Sequence, residues 1–141
     1  MRTDLFNSIN LKRGISPYDH ATGDAAVVSQ IIDMQGIDAL VFAIATGSLA
    51  DADATFTVLI EESDDSGMSG ASAVADADLL GTEALASFTF GSDDKCFKIG
   101  YKGSKRYVTC TITPANNTGA ALLCVIAITV PQILPSANPP A

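Results

Sequence analysis

The chain has 141 residues, among them 8 Lys or Arg and 16 Asp or Glu, so its formal net charge at pH 7 is −8. This acidic balance disfavours general binding to nucleic acid, which needs positive charge over the binding footprint. Hydrophobic residues make up 48% and charged residues 17%, which excludes a disordered chain and predicts a single domain with its own core over residues 1–141.

The start of the chain is polar and interrupted by charge, so it does not fit a secretory signal peptide. The longest apolar run, residues 120–128, is well short of the roughly 20 residues of a membrane helix. We therefore expect no membrane partner.

Residues 1–20 are predicted to form an N-terminal arm, and His20, among turn-forming residues, is interpreted as a surface-loop histidine.

Further along the chain, apolar and polar residues alternate with a period of two, which indicates half-buried antiparallel strands. The run 121–130 is apolar on both faces and is expected to be a central strand or one covered by a partner subunit. Residues 78–87 have room for one or two helical turns. The predicted strands are residues 29–34, 39–46, 55–62, 86–90, 96–102, 106–113 and 121–130.

The segments between these strands are rich in Gly, Ser, Asp and Asn, which is typical of turns. The tail, residues 131–141, holds four of the six prolines and is predicted to be an extended arm. Together these patterns predict an all-β fold with little helix: a β-sandwich, jelly roll or small barrel of about eight antiparallel strands.

Basic residues are concentrated in one short stretch. Residues 95–106 carry five of the eight basic side chains, whereas residues 14–94 have none and carry fifteen of the sixteen acidic ones. We interpret the stretch as a β-hairpin that turns near Gly103, with a solvated turn favoured over a nucleic-acid site.

The three cysteines, Cys96, Cys110 and Cys124, are fourteen positions apart. If the chain also reverses near Asn117, an antiparallel register places all three on one face. A zinc site is disfavoured because no CxxC occurs and His20 is distant, so we interpret the cysteines as small buried hydrophobic residues. The odd count argues against a disulfide.

The sequence has little that indicates catalysis. His20 is the sole imidazole and lies in no nucleophile motif, and the abundant carboxylates are better explained as solvated acidic loops than as a calcium site. We therefore predict no catalytic residues, no metal site, no cofactor and no enzymatic activity. A hydrolase that uses the acidic loops is the least favoured alternative.

Four segments taken in order carry a family resemblance: "ADLLGTEA", "CFKIGYKGSKRYVTCTITP", "NNTGAALLCVIAI" and the Pro-rich end. With them the chain resembles the capsid cementing, or decoration, proteins of tailed bacteriophages, above all that of a Bordetella podophage. The resemblance extends over most of the chain. Its most specific part is the Gly-Ser-Lys-Arg-Tyr segment at 103–107.

The resemblance implies a jelly-roll-like β-barrel on the outer capsid surface of the virion, bound to an HK97-type shell. The implied partners are the major capsid protein and a second copy of the chain, most simply as a dimer. The alternative is a carbohydrate- or receptor-binding β-sandwich displayed on the virion. The candidate capsid or subunit interface consists of Lys98, Tyr101, Lys102, Gly103, Ser104, Lys105, Arg106 and Tyr107.

A second interpretation of the same stretch stays open. Gly103 and Ser104 would then serve turn geometry alone, and Lys105 and Arg106 would serve solubility.

Overall fold

The structure is a computed structural model that describes residues 4–20 and 23–133. It is a two-layer β-sandwich in which all strand pairs are antiparallel. The strands are β1 (Asn10–Asp19), β2 (Val27–Val28), β3 (Ile32–Asp33), β4 (Ile37–Leu49), β5 (Thr55–Ser63), β6 (Ser72–Ala73), β7 (Leu79–Leu80), β8 (Phe88–Thr89), β9 (Cys96–Tyr101), β10 (Tyr107–Ala115) and β11 (Ala121–Pro131).

The five-stranded sheet has the order β1-β11-β4-β9-β7. In the six-stranded sheet β10 is central, with β2 and β3 on one side and β5 on the other, and β5 also pairs with β6 and β8. We take β2 and β3 as one interrupted strand and set aside the short β7 and β8. The eight main strands then have the order 1-8-3-6 in one sheet and 2-7-4-5 in the other.

This order is that of a jelly roll, in which two Greek keys alternate the later strands between the sheets. The prediction of an all-β, jelly-roll-like sandwich of about eight strands is confirmed. β11 lies between β1 and β4, so it is also confirmed as a central strand.

The core lies between the sheets and is built by the alternation seen in the sequence. Phe42 and Ile44 of β4 point inward, as do Val58 and Ile60 of β5, and all four are at most 1% exposed. Burying a side chain of this size stabilises the fold by roughly 1.5–3 kcal/mol before entropy is counted. Apolar alternation in the long strands therefore accounts for the packing of the two layers.

Helix is scarce, as expected. α1 (Glu83–Ala86) is one turn, and the Thr82 hydroxyl caps it by accepting a hydrogen bond from the Leu85 backbone N–H at 3.1 Å. Two 3-10 turns, Asp76–Asp78 and Phe90–Ser92, lie on either side of it in the chain. No helix in the described part of the chain has the length and hydrophobicity to cross a membrane.

The prediction of an N-terminal arm over residues 1–20 is wrong for Asn10–Asp19. These residues form β1, an edge strand that pairs with β11 through two irregularities in register. Their alternation is interrupted by Gly14 and Pro17, which hid the strand. At the other end Pro131 still pairs with Ile37, and residues 134–141 of the predicted C-terminal arm lie outside the described residues.

Candidate functional site

The basic stretch forms a corner between the two sheets. Lys102–Arg106 connects Tyr101, the last residue of β9, to Tyr107, the first residue of β10. Because β9 belongs to the five-stranded sheet and β10 to the six-stranded sheet, the predicted β-hairpin is wrong. We call the segment Tyr101–Tyr107 the basic corner.

Tyr101 anchors the basic corner from inside. The residue is only 3% exposed, its Oη donates a hydrogen bond to Oε2 of Glu62 at 2.7 Å, and the Lys105 backbone N–H donates to the same Oη at 3.0 Å. Burial and the hydrogen bond to Glu62 raise the pKa of the Tyr101 phenol well above its usual value. The expectation that Tyr101 offers contact area to a partner is therefore wrong.

Gly103 is packed against that ring. A Cβ at this position would lie 2.6 Å from Cε2 and from Oη of Tyr101, closer than real Cβ contacts allow. The glycine is thus required by a close approach, not by a tight hairpin.

We expect Gly103→Ala to lower the free energy of unfolding by about 1–3 kcal/mol, because the added methyl group must displace the Tyr101 ring. Gly91→Ala is the matched control, since the nearest atom to its added Cβ is Oγ1 of Thr89 at 4.0 Å. Urea denaturation of both variants measures the difference. Equal stability of the two would contradict the packing described for Gly103.

Two cations of the basic corner form ion pairs with distant carboxylates. Lys105 Nζ pairs with Oδ2 of Asp64 in the loop after β5. Arg106 makes a bidentate pair with Asp33 of β3, with Nε to Oδ1 at 3.0 Å and Nη2 to Oδ2 at 2.9 Å. The side chains of both pairs are between 41% and 66% exposed, so each pair is expected to contribute at most about 1 kcal/mol.

These pairs shift the pKa of their members toward the charged forms. The hydrogen bond that Lys105 donates to Asp64 raises the pKa of Lys105, and the guanidinium of Arg106 holds the pKa of Asp33 below its ordinary value of 3.8. Much of the charge of the basic corner is thus neutralised within the chain. Of the predicted cations, Lys98 and Lys102 are exposed and make no ion pair with any residue in the described ranges.

The Asp33–Arg106 pair predicts an acid dependence of stability. Because the folded pKa of Asp33 is lowered, its contribution is present above the unfolded value of 3.8 and is lost as pH falls through the folded value. Wild type is therefore expected to lose more stability than Asp33→Asn between roughly pH 5 and pH 2. Urea titrations across this range test it, and parallel losses in the two proteins would contradict the role of Asp33.

His20 is not a surface residue. It is 2% exposed, its Nε2 lies 3.0 Å from the Ser16 carbonyl oxygen, and its ring centroid is 4.1 Å from that of Tyr18. The prediction of a surface-loop histidine is wrong, because the end of β1 folds the residue inward.

The predicted register of the cysteines is also wrong. Cys110 pairs with Ile60 in the six-stranded sheet and is fully buried, where burial raises the pKa of its thiol to about 12. Cys96 and Cys124 instead flank Ala45 in the five-stranded sheet, and both are partly accessible. The interpretation as a buried hydrophobic residue therefore holds for Cys110 alone.

The acidic loops have structural partners. Asp51 Oδ2 accepts hydrogen bonds from the backbone N–H and the hydroxyl of Thr118, both at 2.7 Å, and Asp65 Oδ1 accepts from the Gly67 N–H at 2.8 Å. Within the ranges that the structure describes, no group of three or more His, Cys, Asp or Glu residues is arranged to hold a metal ion. These carboxylates hold turns and join loops.

No protein-family model matches the chain, and no curated protein matches it either. Among solved structures, the fold is similar to that of the PBSX exported protein XepA, with a TM-score of 0.56 and 14% sequence identity. The match covers 93% of this chain and 39% of XepA.

A family two carbohydrate esterase from Cellvibrio japonicus also matches, with a TM-score of 0.40 and 10% identity over 90% of this chain and 35% of the esterase. The chain therefore spans less than half the length of either protein. The narrower likeness to a Bordetella podophage protein stays a prediction. At these identities, what this chain has in common with XepA is a β-sandwich fold.

Proposed function

We propose that the chain is a virion structural protein of a tailed bacteriophage, which binds the outside of an HK97-type capsid and cements neighbouring major capsid proteins. The observation that carries this proposal is the strand order. The sequence resemblance to phage cementing proteins implies a jelly roll, and the chain folds with the strand order of one. A fold shared with an exported protein of PBSX adds support.

Cementing needs a rigid module and accessible surface, and no covalent chemistry. Each copy that bridges two shell subunits adds a small binding free energy, and many copies together oppose expansion of the shell from within. The two packed sheets supply the rigid part, because side chains from both layers fill the space between them.

Within this function, Lys98 and Lys102 are the two cations of the candidate interface that remain available to an acidic partner surface. Lys105 and Arg106 act chiefly within the chain, where they tie the basic corner to the loop after β5 and to β3. Each of the two interpretations of the stretch therefore applies to some of its residues. Gly103, Lys105 and Arg106 have a structural role. Lys98 and Lys102 form the contact with the partner.

Self-association as a dimer is a further part of the proposal. The β1 edge carries Pro17 and two register irregularities, which are features that discourage strand pairing between copies. A dimer would therefore use a surface other than this edge. Sedimentation equilibrium of the purified chain measures its association state.

The function is tested by co-sedimentation with shells assembled from the major capsid protein encoded in the same genome. Wild type is expected to bind them and to raise the temperature at which they rupture. A folded chain that fails to bind would contradict the cementing role. Binding to a glycan array by such a chain would favour the carbohydrate-binding alternative.

The contribution of the two lysines to shell binding is tested in the same co-sedimentation experiment with the double variant Lys98→Glu/Lys102→Glu. Reversal at Lys105 and Arg106 would instead place new carboxylates against Asp64 and Asp33, and loss of fold would be confused with loss of binding. The double variant is expected to bind more weakly than wild type, with a smaller dependence on salt.

A further inference from the structure

The outward surface of the five-stranded sheet is unusually apolar. Three adjacent rows of side chains cross it from strand to strand, and strand register defines each row. We call these rows the apolar face. Its members are Leu11, Ile128, Val41, Gly100 and Leu80 in the first row, Arg13, Ile126, Ala43 and Lys98 in the second, and Cys124, Ala45 and Cys96 in the third.

Several of these apolar side chains are open to solvent. Leu11 is 48% exposed, Ile126 40% and Leu80 56%. They belong to one continuous surface, because Leu11 pairs with Ile128 and Ile126 pairs with Ala43. Contiguous apolar surface on a folded protein marks an interaction site, whereas scattered exposed residues do not.

The other sheet lacks this character. Five of its ten outward positions on β5 and β10 are threonine, and Glu61 pairs with Thr109 there. An antiparallel sheet with one face in water normally has such a polar outer surface. The difference between the two sheets therefore singles out the apolar face as the one built for contact.

The charge of the apolar face is opposite to that of the chain. Arg13 and Lys98 are its two charged residues, and they lie in the same row on either side of Ile126 and Ala43. Three strand spacings separate them, or about 14 Å. None of the three rows contains Asp or Glu, although the chain as a whole carries sixteen.

We propose that the apolar face is the surface by which the chain docks on the shell, against an apolar patch of the major capsid protein flanked by carboxylates that meet Arg13 and Lys98. This inference rests on the proposed function and assigns its contact surface. A second copy fits less well. Twofold stacking of two apolar faces would bury four cations in a contact to which those rows supply no carboxylate.

The test is co-sedimentation of three variants with the same shells. Ile126→Asp puts a charge in the middle of the apolar face, and we expect it to weaken binding at least tenfold. Val28→Asp is the matched control, because Val28 is 57% exposed and pairs with Thr111 in the six-stranded sheet. It is expected to bind like wild type. Lys98→Glu is expected to weaken binding and to reduce its salt dependence.

Thermal melts first establish that each variant is folded. If wild type binds and Ile126→Asp binds equally well, the docking surface is overturned while the cementing role stands. If folded wild type does not bind, the cementing role fails and the docking surface fails with it. If wild type sediments as a dimer and Ile126→Asp as a monomer, a second copy occupies the face and the assigned partner is wrong.

Discussion

Tyr101→Ala is expected to lower the free energy of unfolding by about 3–5 kcal/mol, the usual cost of deleting a large aromatic side chain from a packed interior. Tyr101 is 3% exposed, and its hydroxyl joins Glu62 of β5 to the backbone of Lys105. Its loss removes packing between the sheets and the anchor of the basic corner together. Urea denaturation measures the change.

Tyr101→Phe separates the hydroxyl from the ring. It leaves the Glu62 carboxylate and the Lys105 N–H without their partner, which we expect to cost about 1–3 kcal/mol. Tyr18→Phe is the matched control, since Tyr18 is 59% exposed, and its effect is expected to stay within about 0.5 kcal/mol. Equal losses of stability in Tyr101→Phe and Tyr18→Phe would contradict the role of the Tyr101 hydroxyl as an anchor.

The Tyr101 phenol also predicts that the free energy of unfolding depends on pH in the alkaline range. Its folded pKa is raised above the ordinary value of 10.0, so its contribution is complete below the unfolded pKa and is lost as pH rises toward the folded one. Stability measured from pH 9 upward should therefore fall more steeply for wild type than for Tyr101→Phe. Parallel curves would show that the phenol is not held neutral by the fold.

Local alternation was enough to locate the strands that build the core. β4, β5, β10 and β11 were predicted because one face of each must be buried, and burial selects apolar residues at every second position. Of the two-residue strands, β3 and β8 fall within predicted strands, whereas β2, β6 and β7 carry too few residues for a period to show. β1 was missed because Gly14 and Pro17 interrupt its alternation, so no local pattern marks it as the partner of β11.

Turn residues show that a chain reverses, but they do not show which sheet the next strand joins. The Gly103 and Asn117 segments were interpreted as hairpin turns, whereas both connect strands of opposite sheets. The register inferred for the cysteines was wrong for that reason. The jelly-roll topology came from the family resemblance, since alternation alone is equally compatible with other sandwiches.

The site was predictable only in part. A cluster of cations at 95–106 is visible in the sequence, but the carboxylates that neutralise it are not. Asp64 and Asp33 lie 41 and 73 positions from Lys105 and Arg106, the cations that they pair with. Each is one of sixteen acidic residues without a local signature, so only the folded chain shows that Lys105 and Arg106 are paired while Lys98 and Lys102 are not.

The three cysteines are expected to differ widely in the rate at which their thiols react. In the folded protein Cys96 is expected to react rapidly with a maleimide, and Cys110 only when the sheets separate. For a domain stable by 5 kcal/mol or more, that difference in rate is about 10³-fold or larger. Peptide mapping after timed labelling measures it, and full labelling of all three thiols in denaturant is the control.

A bifunctional maleimide turns the same thiols into a test of topology. Cys96 and Cys124 lie on either side of Ala45, two strand spacings or about 10 Å apart, which is too far for a disulfide but within reach of a short cross-linker. A hairpin register would instead put Cys110 opposite each of them. A Cys96–Cys124 link in folded monomer supports the jelly roll, and a link from either to Cys110 would overturn it.

Because both reacting thiols belong to the apolar face, the cross-linked monomer should also lose shell binding, whereas modification elsewhere on the sandwich should not.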